Sequence, residues 1–363
     1  MKFIVTSLTE WSEIPRARHQ VTEALLNAGH TVLFVEKNKR GFTNIQTREH
    51  KPGLTILTPF YPISYRIRCR APLINEVYQH WLFSHLRDTY GISPVINFDF
   101  TANQLHRFFP KNIYYCNDDH IGACGHQHLP VKRYPTMAER QMTEKSCFCV
   151  TTSNYLTHKL QAYHQKVYEI PLGGPPPQTT SEQRDFREKP SIIVGLLGAL
   201  HASHLSVHVI NQIIKEPDFC LTLVGNNSEQ FKQQIDHPER AVFRGVLTGS
   251  QLFDEMCRFD VAIAPYNLEK INAGVSPNKL FQYLACACPV VISDIPNIRG
   301  IKYPPGTVYV APDDKSFTGR IRQAIAEDCP EYANTRLHYA SENTWEKRIQ
   351  RLLFHLEENG LVE

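Results

Sequence analysis

Short apolar runs recur along this chain, separated by longer stretches whose apolar residues return every three or four positions. The runs at 3–7, 31–36, 54–58, 94–98, 112–116, 148–153 and 167–170 read as buried strands. Stretches at about 16–27, 74–88, 137–145 and 154–163 carry helical spacing. Ala28-Gly29-His30 closes the first helix, with Gly29 as its C-terminal cap. Gly173-Gly174-Pro175-Pro176-Pro177 and a polar run to Pro190 then read as a linker. Beyond it the rhythm restarts, with strands at 192–197, 220–224, 241–243, 261–264, 290–292 and 308–310 and helices at about 205–215 and 249–258. Strands alternating with helices in two blocks predict an α/β protein with two Rossmann-like domains. Each has a parallel sheet with helices on both faces. The expected boundaries are 1–172 for the first domain, 173–190 for the linker, 191–340 for the second domain and 341–363 for a C-terminal helix. In that helix Trp345, Ile349, Leu352, Leu353 and Leu356 form one stripe, and Ser341 is placed as its cap.

Composition narrows the function classes. The 363 residues are 42% hydrophobic and 21% charged, as in soluble globular proteins, and exceed one ordinary core. No apolar run reaches 18 residues, and Met1–Ser7 reads as a first strand rather than a signal peptide. Ten cysteines lack metal or disulfide-framework spacing, Cys147-x-Cys149 and Cys286-x-Cys288 included, so free thiols in a reducing cytoplasm are expected. The net charge of +3 is uneven: residues 1–170 carry +7 and the remainder −4. A basic first half points to an anionic partner there, or to an incidental imbalance on a solvated surface.

The most informative stretch is Gly274-Val275-Ser276-Pro277-Asn278-Lys279-Leu280-Phe281-Gln282-Tyr283-Leu284-Ala285, running into Cys288-Pro289-Val290-Val291-Ile292-Ser293. It reads as a small-residue loop, a helix and a buried strand, with Phe281 and Leu284 toward the core. Ser276, Pro277 at the helix start and the Lys279 cation suit a diphosphate. Three further strand ends join it: Gly198, Gly225, and Pro265-Tyr266, since ligands of open parallel sheets bind at the carboxyl ends of strands. Helix-start residues and a cation suffice to hold a diphosphate, so no cofactor and no metal are expected.

The same segment resembles the donor-binding motif of the GT-B glycosyltransferases, in the large bacterial polysaccharide and glycolipid group (group 1, family 4-like). The likeness extends co-linearly through Ile193–Leu200, Leu221–Asn226, Phe243-Arg244-Gly245-Val246 and Asp260–Tyr266, and through Trp11-x-x-x-Pro15-Arg16-x-Arg18-His19, Tyr114–Asp119 and Val150–Ser153. It implies a nucleotide-sugar-dependent glycosyltransferase of hexosyltransferase type, with the 341–363 helix packing back toward the first domain. Gly198, His201, Gly225, Arg244, Tyr266, Ser276, Pro277, Asn278, Lys279 and Gln282 would hold the donor. The family's pair of glutamates eight positions apart falls here on Gly274 and Gln282, neither acidic, and its Arg/Lys pair after the first strand of this domain is replaced by His201 and His204. With His208 these form H-x-x-H-x-x-x-H, open to readings as phosphate contact, metal site or solvated face.

The acceptor hydroxyl needs a base if configuration inverts. Asp118 and Asp119 at the end of the 112–116 strand come first, His19 at the first helix second, with His120 adjacent and Glu139 as a further acid. Two adjacent acids there also fit a plain turn or cap. Tyr65-Arg66-Ile67-Arg68-Cys69-Arg70-Ala71-Pro72, followed by Trp81-Leu82-Phe83, suits an anionic lipid surface or an ordinary amphipathic helix. The expected setting is the cytoplasm, peripheral on the inner face of the membrane, with a nucleotide-sugar donor and a saccharide or lipid-linked acceptor. No nucleic-acid module is present, and no G-x-G-x-x-G follows the first strand, which argues against a dehydrogenase. A nucleotide-sugar epimerase of the same fold and a non-catalytic relative are the rival readings.

Overall fold

The computed structural model describes residues 1–123, 133–226, 228–268, 275–276 and 279–362. In chain order the strands are β1 (Lys2–Thr6), β2 (Thr31–Val35), β3 (Lys39–Arg40), β4 (Asn44–Lys51), β5 (Leu54–Tyr61), β6 (Val95–Asn97), β7 (Asn112–Cys116), β8 (Phe148–Thr151), β9 (Val167–Glu169), β10 (Ile192–Leu197), β11 (Phe219–Val224), β12 (Ala241–Gly245), β13 (Val261–Ala264), β14 (Val290–Ser293) and β15 (Val308–Ala311). The helices are α1 (Ala17–Asn27), α2 (Tyr65–Arg68), α3 (Pro72–Tyr90), α4 (His120–Ala123), α5 (Arg133–Lys145), α6 (Asn154–Gln161), α7 (Val207–Lys215), α8 (Ser228–Lys232), α9 (Gly249–Met256), α10 (Lys279–Ala285), α11 (Asp314–Ala326), α12 (Pro330–Ser341) and α13 (Trp345–Glu358). The chain divides into Met1–Leu172 with Trp345–Glu363, and Gly173–Thr344.

The first unit holds a nine-stranded sheet in the order β3-β5-β2-β1-β6-β7-β8-β9, parallel except where β4 pairs antiparallel with β5. Phe3 and Val5 of β1 enter one core with Val21 and Leu25 of α1, while Ile4 enters the other with Leu33, Leu57 and Leu82. Successive side chains point to opposite faces, so a strand apolar at every position must be covered twice. Helix α13 supplies part of the cover: Trp345, Ile349, Leu352 and Leu356 pack into the α1 core. The second unit holds six parallel strands in the order β12-β11-β10-β13-β14-β15, again buried on both faces. In each sheet the chain winds outward in one direction from its first strand and then in the other. That reversal lies between β1 and β6 and between β10 and β13.

Three expectations need correction. Segment 173–190 is not a free linker but part of the second unit. Arg184 pairs with Asp328 at 2.7 Å and donates to the carbonyls of Phe259 and Asp260, and Gln178 N–H donates to Ala285 O. Ser341 does not cap the last helix. It ends α12, and its hydroxyl donates to His338 O. The Tyr65–Pro72 segment does not present all its cations: Arg68 is buried, 3.7 Å from the Tyr78 ring centre and bonded to Asn38 and Asn75. Leu82 and Phe83 also face the core, and Trp81 packs against it.

Candidate functional site

The second unit builds its site where the sheet order reverses. Strands β10 and β13 pair only through Val194–Val261 and Gly195–Ala262, then part. Tyr283 of α10 fills the fork. Its buried hydroxyl accepts the Leu197 N–H at 2.6 Å and donates to Ile263 O. Sequence reasoning passed over this tyrosine, because it reads as one more apolar position on a helix. Beyond the fork, β10 ends at Gly198 and β11 at Gly225, with φ of 135° and 153°, where a side chain is strained. Both sites are also too crowded for one. A Cβ on Gly198 would stand 2.1 Å from Lys279 Nζ, and a Cβ on Gly225 1.7 Å from the Gly198 carbonyl oxygen. The glycines thus let the Lys279 side chain lie across the end of β10.

Lys279 Nζ lies 5.9 Å from the ring centre of Tyr266, which follows β13. Burial against these strand ends lowers its pKa to about 8, and no carboxylate pairs with it among the described residues. Among the described residues, nothing compensates this charge. Gln282, one helical turn on, shares the Lys279 face and is half-buried. Ser276 is half-buried, and the neighbouring Val275 carbonyl accepts from Asn297 Nδ2. Pro277 and Asn278, with Gly274, lie outside the described residues.

The remaining donor candidates are placed less directly. His201 and His204 are exposed on the loop after β10, their rings 6.1 Å apart, and His201 Nδ1 bonds Ser203 Oγ at 2.7 Å. His208 turns to Gln212 on α7. Among the described residues no three His, Cys, Asp or Glu groups gather as a metal site. Arg244, on β12, donates to the Glu255 carboxylate of α9 at 2.8 Å, which fixes its guanidinium beside the end of β11 and β12.

In the first unit the four candidate acid–base groups separate by their partners. Asp119 accepts from Lys159 Nζ at 2.8 Å, the Tyr155 hydroxyl at 3.0 Å and Gly122 N–H at 2.9 Å. Lys159 also pairs with buried Glu139, which accepts from Tyr114. Burial works to raise the Asp119 carboxyl, but the Lys159 ammonium outweighs it and holds the pKa below the ordinary carboxylate range. Asp119 is thus a fixed anion and a poor proton acceptor, and Glu139 is held in the same network by Lys159 and Tyr114. His19 is buried. Its Nδ1 accepts the Arg16 N–H, so its Nε2–H donates to Glu10 O, and burial lowers its pKa. Both ring nitrogens serve the start of α1, which removes His19 as a free base. Asp118 is exposed and accepts only its neighbour's N–H among the described residues. His120 stacks on Phe100 beside it, with its pKa lowered by burial.

The two doubly wound sheets are those of the GT-B glycosyltransferase fold. Solved structures bear this out. The chain is similar to a sucrose-phosphate synthase from Thermosynechococcus elongatus (TM-score 0.71, 15% identity, 98% of both chains). It is also similar to WaaG, a glycosyltransferase involved in lipopolysaccharide biosynthesis (TM-score 0.69, 14% identity, 96% of this chain and 98% of that one). Residues 191–327, inside the second unit, match the family described as glycosyl transferases group 1. A putative teichuronic acid biosynthesis glycosyltransferase, TuaH of Bacillus subtilis (strain 168), is 21% identical over 231 residues. That alignment takes in 60% of this chain and 58% of the relative's length.

Proposed function

We propose that this protein is a glycosyltransferase that moves a sugar from a nucleotide-diphosphate sugar to a saccharide or lipid-linked acceptor in bacterial surface-polysaccharide or glycolipid synthesis. The observation that carries it is Lys279, a cation held across the glycine end of β10 at the sheet reversal, with no carboxylate partner among the described residues. A diphosphate leaving group develops negative charge as the glycosidic bond breaks, and a preorganised cation there lowers the barrier. TuaH is described as a putative teichuronic acid biosynthesis glycosyltransferase and WaaG as a glycosyltransferase involved in lipopolysaccharide biosynthesis, which favours this reading over an epimerase or a non-catalytic protein. Lys279 supplies the charge that a metal ion would otherwise bring, so turnover is expected to survive chelation.

Asp118 is the group we assign to the acceptor hydroxyl, because Asp119, Glu139 and His19 are committed elsewhere. Ile67, Leu73 and Val77 are exposed beside Arg66 and Arg70, and this face supports a peripheral position on an anionic membrane. Among the described residues no helix is long and apolar enough to cross a membrane.

The test is a panel of UDP, GDP, TDP and CMP sugars read by thermal stabilisation, followed by turnover with the stabilising donor. One nucleotide diphosphate sugar should raise Tm, and Lys279→Met should abolish the rise. Asp118→Asn should lower turnover about 100-fold. Donor hydrolysis or transfer that survives Lys279→Met unchanged would remove the reading.

A further inference from the structure

Arg18 is the least satisfied charge of the first unit. It is 4% exposed, yet it donates no hydrogen bond and forms no ion pair among the described residues, and its Nε is buried without a partner. A buried guanidinium is normally held in a fork of oxygen acceptors, because leaving its donors unmade forfeits their hydration. The two most deeply buried arginines of the chain obey this: Arg68 bonds to Asn38 and Asn75, and Arg336 to Ala287 O, Gly306 O and Asp328.

The position of Arg18 explains the exception. It is the second residue of α1, which follows β1, so it stands at the carboxyl end of the sheet. Its guanidinium carbon lies 5.8 Å from the ring centre of Phe98, the residue after β6. The reversal of the first sheet falls between β1 and β6. Burial lowers the Arg18 pKa to about 10, Arg16 adds to the fall, and the Glu13 and Asp118 charges oppose it. It stays cationic at neutral pH. Asp118 is exposed and His120 half-buried, so the guanidinium lies about one side chain beneath the surface. The N–H groups of Ala17 and Arg18, in the first turn of α1, likewise have no backbone acceptor among the described residues. Asn117 Oδ1, after β7, is a buried acceptor without a donor.

We propose that Arg18 and the start of α1 form a phosphate-binding site in the first unit, which holds a phosphate group of the acceptor. A guanidinium fork matches two phosphate oxygens and the helix-start N–H groups suit the third. Asn117 offers an acceptor for a sugar hydroxyl. The assignment to the acceptor rests on the glycosyltransferase reading; the anion site itself does not.

The test separates them. Inorganic phosphate and pyrophosphate are titrated calorimetrically into the full-length Lys279→Met protein, where the donor site is disabled. One site is expected, weakened at least tenfold by a further Arg18→Met and largely restored by Arg18→Lys. Because Arg18→Met removes an uncompensated buried charge, it should also raise Tm without phosphate, by about 3 °C. Tighter binding of pyrophosphate than of phosphate marks a diphosphate-linked acceptor, and the reverse a sugar monophosphate. The proposal is overturned if phosphate binds the double variant as tightly as Lys279→Met alone, if neither binds, or if Arg18→Met melts lower with binding intact. Loss of nucleotide binding by the unaltered protein, with the Arg18 site still present, would count against the glycosyltransferase reading alone.

Discussion

In the second unit β10 and β11 run into Gly198 and Gly225, whereas in the first unit β1 and β6 run into side chains that bond to one another. Thr6 Oγ1 donates to Asn97 Oδ1 at 2.5 Å, Ser7 bonds Thr9, and Asp99 accepts from Thr101. One sheet end is left open by removing side chains; the other is closed by pairing them. Both nevertheless keep a cation near the reversal that has no carboxylate partner among the described residues, Lys279 in one and Arg18 in the other. A third cation, Lys159, is fully paired with Asp119 and Glu139. The contrast is between a cation held by carboxylates and two that we propose bind a ligand.

The strongest way to break the open end is Gly225→Ala. Its Cβ would meet backbone, the Gly198 carbonyl, which cannot swing aside as a side chain can. The variant should lose about 4 kcal/mol, combining strain with overpacking. Gly245→Ala is the control: φ is 67° and nothing lies within 4 Å, so only about 1–2 kcal/mol of backbone strain is expected. Equal melting of the two proteins would show that close approach does not shape this site.

Next comes the pair of lysines. Lys159→Met leaves the buried Glu139 and half-buried Asp119 carboxylates facing each other unneutralised, and should cost about 3 kcal/mol. Lys279→Met leaves no carboxylate unpaired among the described residues. It should melt no lower than the unaltered protein while nucleotide-diphosphate affinity falls at least tenfold. Chemical denaturation and calorimetry measure the two effects, and a reversed pattern would undo the division of roles.

The pH dependence sharpens the same distinction. Burial depresses the folded pKa of Lys279 to about 8, from an ordinary value of 10.5. Above about 8 the folded state binds fewer protons there than the unfolded chain, so this residue makes the ligand-free protein more stable as pH rises from 8 toward 10.5. Diphosphate affinity should run the other way and fall over the same interval, since the ligand needs the ammonium. Both slopes should vanish in Lys279→Met.

The sequence carried the parallel sheets because their strands are apolar at nearly every position, as Phe3–Val5 and Val261–Ala264 are. It was silent on β4, whose residues are nearly all exposed and polar, and on α12, which buries Ala333, Arg336 and Ala340 and so shows no apolar stripe. In the site, Gly198, Gly225 and Lys279 were legible because glycine at a strand end and a cation at a helix start have few other uses. Tyr283 and Arg18 were not assigned. Their importance lies in partners made or missing across the fold, and spacing along a chain does not record those.

The smallest expected effect is that of His19→Gln. As a base, His19 would be indispensable, and its loss would lower turnover by a factor of 100 or more. The structure gives it a different task, since Nδ1 accepts the Arg16 N–H and Nε2 meets Glu10 O, 3.0 and 3.1 Å away. A glutamine at the same helical position offers one acceptor and one donor, so the start of α1 keeps most of its bonding. The lost ring packing against Trp11 and Phe34 should still cost about 1 kcal/mol. Turnover within about threefold of normal, with Asp118→Asn nearly inactive in the same assay, would place the proton transfer at the end of β7 and leave α1 to hold Arg18 in position.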